Sequence, residues 1–200
     1  MEHANINEIF VDIINKQKKK EEDNNIWLNS KYKDLVKLQC NNVGNVGEIF
    51  IKNICDYCNI DAIIDGTKTK KLGGGFGDGI ILNKTVEIKT SFRGSKYPTF
   101  QHELGEIPWK SDYMIFIDVI PECIYITIFK NFNEEIYKSN KKCEPYFPSK
   151  IITWRKNKGV FKLDTSIKIN EYNIINGYTI KLDDNIKLDD IKNFILSTIK

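Results

Sequence analysis

The chain has 200 residues, of which 41% are hydrophobic and 28% charged, with a formal net charge of +3. That suffices for one globular domain with its own core, with no need of a metal or disulfide staple. The near balance excludes a histone-like polycation. It leaves nucleic-acid binding open, because acids gathered in a metal site can offset bases gathered in a groove.

Residues 5–18 are expected to be helical. Ile9, Phe10, Ile13 and Ile14 share a face, and Lys16, Lys18, Lys19 and Lys20 sit at the C-terminal end, where cations suit the helix dipole. The first residues, MEHANINEIFVDII, carry acids where a signal peptide carries bases, and no apolar run is long enough for a helical membrane span. A cytoplasmic location is therefore expected. Residues 21–30 read as loop anchored by Ile26, Trp27 and Leu28, and 31–39 as a short helix. A firmer helix covers 45–58, with Val46, Ile49, Phe50, Ile54 and Tyr57 as its apolar stripe. IDAIID (60–65) reads as a strand, and GIIL and TVEIKT as two more. Residues 99–107 are expected to be a helix stopped by Pro108. YMIFIDVI (113–120) and ECIYITIF (122–129) are strands. A short helix follows at 133–139, then a turn-rich basic stretch at 144–158, a strand at 160–164 and a last helix at 189–199 capped by Asp189. Helices followed by a run of strands predict an α/β (α+β) fold with a central mixed sheet and helices on its faces.

The five cysteines are Cys40, Cys55, Cys58, Cys123 and Cys143. Their odd count and wide spacing argue against a disulfide framework. Cys55 and Cys58 lack a second CxxC pair for zinc, so they read as small apolar residues on a buried helix face.

KLGGGFGDGIILNKTVEIKTSF, residues 71–92, is the informative stretch. Its glycines permit a close backbone approach before Asp78. With Asn83-Lys84 in the turn and Leu82 opposite Thr85, Asp78 lies across from Lys89 and diagonal to Glu87. Ile81, Val86 and Ile88 then share the apolar face. Two converging carboxylates need a positive charge between them, and a hard divalent cation with oxygen ligands supplies it. A bound water then serves as nucleophile, with Lys89 orienting it and offsetting charge. A surface salt-bridge ladder has the same pattern. The glycine run fits neither a P-loop, because Asn83 precedes Lys84, nor a dinucleotide fingerprint, because a strand follows. Ser91, Arg93, Lys96, Gln101 and His102 follow the second strand and are placed to touch a DNA backbone or base edges. Trp154, Arg155, Lys156 and Lys158 form a second basic cluster. The plain alternative for the first group is a polar surface loop, and for the second a solvated turn with Trp154 tucked into the core; His102 could serve as a general base, with a structural hydrogen bond as the simpler role.

GDGIILNKTVEIKTS resembles the core motif of the PD-(D/E)XK nuclease superfamily, the restriction-endonuclease-like fold. The family's first acid and its (D/E)-x-K fall on Asp78, Glu87 and Lys89, with Gly77 where the family has proline. Glu48 matches a glutamate that many members carry on the first core helix. Ile88 matches the residue whose main-chain carbonyl joins the metal ligands. The resemblance covers about residues 45–130. It implies a restriction-endonuclease-like core, one nuclease domain over 1–200, an N-terminal helical region (1–44) and a C-terminal extension (140–200) for DNA contact or dimerisation. It also implies Mg²⁺, or Mn²⁺ in its place, held by Asp78, Glu87, the Ile88 carbonyl and Glu48. The implied activity is hydrolysis of double-stranded DNA to 5′-phosphate ends by a homodimer, most similar to a type II restriction endonuclease. A cognate DNA methyltransferase would be its genetic partner. Gln101 is followed four residues on by Gly105 rather than tyrosine, a departure from the repair-type members. A repair or recombination nuclease, a catalytically silent nucleic-acid-binding module and a structural protein are the rival readings.

Overall fold

The computed structural model describes residues 6–65, 77–95, 97–105, 109–132, 152–155 and 159–200, with the backbone alone at 6–9, 105, 154 and 155. In chain order the elements are α1 (Ile6–Asp23), a 3-10 turn (Leu35–Lys37), α2 (Cys40–Cys58), β1 (Ala62–Ile64), β2 (Gly79–Ile81), β3 (Lys84–Phe92), β4 (Thr99–Gly105), β5 (Tyr113–Val119) and β6 (Ile124–Lys130). They continue with β7 (Ile152–Arg155), β8 (Val160–Ser166), α3 (Ile167–Ile175), β9 (Thr179–Leu182) and α4 (Leu188–Thr198). Six strands form a central sheet in the order β1-β2-β3-β5-β6-β9, and β4-β8-β7 form a second sheet. β3 and β5 run parallel, while the other pairs are antiparallel.

Successive side chains on a strand point to opposite faces, so β5 feeds two cores. Tyr113, Ile115, Ile117 and Val119 join Ile51, Ile54 and Cys55 of α2 and Ile191 and Ile195 of α4. Met114 and Phe116 join Phe129, Phe132 and, from the second sheet, Leu104, Ile152, Phe161 and Leu163. Every position of β5 is therefore buried, which is why its sequence is nearly continuous in apolar residues. Each such side chain contributes about 1.5–3 kcal/mol by leaving water. The central mixed sheet is thus flanked by helices on one face. The second sheet covers the other face, and Ile167 and Ile174 of α3 pack with Phe100 and Tyr125 there.

The 99–107 segment is a strand, not the expected helix. TFQHELG alternates, with Phe100, His102 and Leu104 buried and Gln101 and Glu103 exposed, and pairing with β8 uses that period of two. α2 starts at Cys40 and buries Val43, Gly47, Ile51, Ile54, Cys55 and Cys58. Most of the stripe expected to be buried faces outward instead: Val46, Ile49 and Tyr57 are exposed. Gly47 explains the rotation, since a Cβ there would stand 1.8 Å from Thr90 Oγ1, so the helix backbone lies directly on β3. Cys55 and Cys58 are buried free thiols, as their sequence pattern implies, and burial pushes Cys55 up to about 12. At the start of α4, Asp190 rather than Asp189 accepts the Lys187 N–H, at 3.2 Å. α3 and β9 are additions to the expected elements. The 133–139 helix and most of the 144–158 stretch lie outside the described residues.

Candidate active site

The hairpin of β2 and β3 turns on Leu82 and Asn83, with φ of 50° and 62°. Two positive φ values match the right-handed twist of the flanking strands. The register is therefore Ile81 with Lys84, Ile80 with Thr85 and Gly79 with Val86, two residues from the expected one. A shift of two keeps every side chain on its expected face, whereas a shift of one would have exchanged them. Asp78 is accordingly not across from Lys89. Its N–H donates to Val86 O at 2.8 Å, the residue already paired with Gly79, so the ladder holds an extra residue there.

Asp78 is 2% exposed, and its Oδ2 accepts the Ile88 N–H at 2.9 Å. The carboxylate thus lies against the β3 backbone between Glu87 and Lys89. The flanking glycines make this approach possible. At Gly77, with φ +122°, a Cβ would stand 2.3 Å from Val86 O, and at Gly79 it would stand 2.6 Å from Ile63 O. Glu87 and Lys89 form an ion pair and are partly open to solvent, with side chains 19% and 24% exposed. They stand on the face of β3 opposite Val86 and Ile88, beside Met114 and Phe116 of β5.

Asp78, in the bend just before β2, is thereby set against Ile88, between Glu87 and Lys89 of β3. Glu48 lies on α2, which packs on the Val86–Ile88 face. Among the described residues no three His, Cys, Asp or Glu side chains gather where they could hold a metal ion. The candidate donors on this hairpin, the Asp78 and Glu87 carboxylates and the Ile88 carbonyl, are all oxygen. They suit a hard cation that keeps several waters.

Of the expected DNA contacts, Ser91 Oγ accepts the Gln101 N–H at 3.1 Å, tying β3 to β4. The Arg93 carbonyl accepts the Trp27 indole N–H at 3.2 Å. Gln101 is exposed, Arg155 belongs to β7, and Lys96, Lys156 and Lys158 lie outside the described residues. His102 is 2% exposed and offers no edge to a DNA groove. It faces inward because it shares the inward period of Phe100 and Leu104.

His102 instead belongs to a polar group that the sequence pattern did not reveal. Its Nε2 is 2.7 Å from Asp118 Oδ1. Thr165 Oγ1 and Asn170 Nδ2 donate to Asp118 Oδ2 at 2.9 and 2.8 Å. All four residues are buried. Nearby, the Tyr125 hydroxyl donates to Glu171 at 2.8 Å, and burial, reinforced by that bond, pushes the phenol well above its usual range. The available signal was Asp118 itself, a lone acid inside the apolar run YMIFIDVI. A buried carboxylate there must find donors. No protein-family model matches this chain, and no curated protein or solved structure is significantly similar to it.

Proposed function

We propose that the chain is a metal-dependent DNA endonuclease of the type II restriction kind, cutting at Asp78, Glu87 and Lys89. One observation carries the reading. The Asp78 carboxylate is hydrogen-bonded to the main chain of β3 between Glu87 and Lys89, in a niche that tolerates only glycine on either side. Burying a carboxylate there costs free energy that a plain surface ladder would not need to offset.

Asp78, Glu87 and the Ile88 carbonyl would hold Mg²⁺ or Mn²⁺. Such an ion, when bound, acidifies water and offsets charge on a phosphate. Lys89 orients the attacking water and neutralises the charge that builds on the phosphoryl oxygens. Glu87 keeps the Lys89 ammonium in place through their ion pair. Water adds to phosphorus and the bond to the 3′ oxygen breaks, giving a 5′-phosphate and a 3′-hydroxyl.

The second reading is a catalytically silent module, favoured by the Glu87–Lys89 ion pair and by the missing third acid among the described residues. Incubation with methylated and unmethylated duplex DNA separates the two. Cleavage in Mg²⁺ that stops in excess chelator and in Asp78→Asn supports the endonuclease. Unchanged cutting in either condition, or no cutting of any duplex, refutes it.

A further inference from the structure

The face of β3 that carries Glu87 continues sideways onto β2 and β1. Thr85 pairs with Ile80, and Ile80 with Ile63, so these side chains lie in one row, opposite the buried Ile64, Ile81 and Val86. Glu87 is two residues along β3 from Thr85 and on the same face. Ile80 is therefore its diagonal neighbour across the hairpin, about 7–8 Å away. Ile63 and Ile80 are 64% and 37% exposed. Together they make a small apolar shelf beside a carboxylate and an ammonium.

The shelf offers an incoming group no hydrogen bond. β2 lies between β1 and β3, so its main-chain groups are taken up by the two ladders. Thr85 Oγ1 donates to Asp112 Oδ2 and accepts the Asp112 N–H, both at 2.9 Å. Asp112 itself stands on the far side of Thr85 from Ile80, next to Tyr113 of β5. Asp65 and Asp78 lie one row along the strands, about 7 Å away at their rise per residue.

The surroundings set which way a substrate strand leaves the hairpin. Towards β5 the face is closed. Glu87 and Lys89 adjoin Met114 and Phe116, and both of these are buried among Leu104 and Phe161 of the second sheet. Further along β3, Ser91 Oγ is tied to the Gln101 N–H of β4. Among the described residues the face is open towards β2 and β1. In the endonuclease reading a phosphate is held at Glu87 and Lys89. A sugar is the next covalent unit on either side of any such phosphate, so one of the two sugars lies over Ile80 and Ile63.

We propose that Ile63 and Ile80 form a sugar shelf, which takes one deoxyribose beside the cut phosphate and rejects ribose there. This inference rests on the endonuclease reading and adds to it the sugar class of the substrate. Packed on the shelf, deoxyribose carbon leaves water without stranding a polar group. Ribose brings a 2′-hydroxyl that loses its water and finds no partner. An apolar site rejects an added hydroxyl by about 10²-fold.

The test uses duplex DNA whose cut position has first been mapped, with a single ribonucleotide placed on each side of the cut in turn. Single-turnover cleavage should fall by about 10–100-fold with ribose on one side of the cut, and much less with ribose on the other. A 2′-fluoro sugar on the sensitive side has no hydroxyl to strand and should be cut nearly as fast as deoxyribose. Ile80→Asn, whose amide gives the hydroxyl a partner, should narrow the difference by about tenfold, while Ile80→Leu should keep it. If Ile80→Asn fails to fold, Ile63→Asn, at the more exposed position, must narrow it instead. Failure to cut any duplex removes the endonuclease reading and this inference with it. Cleavage of DNA with ribose accepted equally on both sides overturns the shelf alone. So does a discrimination that the 2′-fluoro sugar shares, or one that the asparagine variants leave unmoved.

Discussion

Two carboxylates anchor polar groups in this molecule, and their settings differ in one respect. Asp118 has both oxygens occupied by side-chain donors from His102, Thr165 and Asn170, and its side chain is 2% exposed. Asp78 is equally buried, but its donor is a main-chain N–H, and its neighbours Glu87 and Lys89 keep about a fifth of their side-chain surface in solvent. The first group is sealed on every side and joins β4, β5, β8 and α3. The second opens onto solvent at the hairpin. A buried acid surrounded by side-chain donors is a fastener between elements. A buried acid beside a half-open acid and lysine has the access that chemistry requires.

Asp118→Ala gives the largest separation of the two. It strands three buried donors in a shared network, and the loss should be about 3–5 kcal/mol. Denaturant unfolding should show it, with Asp118→Asn losing less. A near-neutral Asp118→Ala would mean that the network is not a fastener.

Lys89→Ala should do the reverse. Stability should fall by less than in Asp118→Ala, because the Glu87 carboxylate left without its partner still reaches solvent. Single-turnover DNA cleavage should fall by about 10²–10³, the scale for loss of one charge-stabilising group. Mn²⁺ binding should persist, since a lysine is not a metal ligand. Near wild-type cleavage by Lys89→Ala would reduce the hairpin to a surface ladder.

The smallest effect sharpens the contrast between the polar groups and the hydrocarbon core. Burial raises the Cys55 thiol to about 12, above its ordinary value of 9.0. In the unfolded chain the thiol ionises first, so the folded state binds more protons above that lower value. The stability contribution is complete below about pH 9 and should decline from there towards pH 12. The urea midpoint should fall over that window, and Cys55→Ala should flatten the fall while lowering the midpoint at every pH through the small cavity it leaves.

Much of this is legible from local pattern. The β5 and β6 runs, the acidic hairpin and the buried Cys55–Cys58 face of α2 follow from apolar period and turn chemistry within a few residues. The register of β2 on β3 differs from expectation by two, because Asn83-Lys84 suggests the turn while the backbone uses Leu82 and Asn83. That difference leaves all faces intact, since pleating depends on parity alone. The difference at 99–107 has another origin. The alternation in TFQHELG is short, and its pairing partner β8 lies about sixty residues away in the chain. Of the readings the sequence offered for His102, the structural hydrogen bond is the one found and the DNA contact is not, since the pairing of β4 with β8 turns the ring inward to Asp118.

By itself the sequence determined which stretches could bury a face and which side chains carry charge. It also determined that Asp78, Glu87 and Lys89 fall on one hairpin, Asp78 at the start of its first strand and the other two on its second. Those are properties of neighbours in the chain, governed by periods of two and 3.6 residues. Tertiary structure alone decided which of two apolar stripes α2 buries, and that Asp118 meets His102, Thr165 and Asn170. The physical reason is that such choices turn on interactions between distant segments, such as the seating of Gly47 on Thr90. Their energies exist only once both segments are in place.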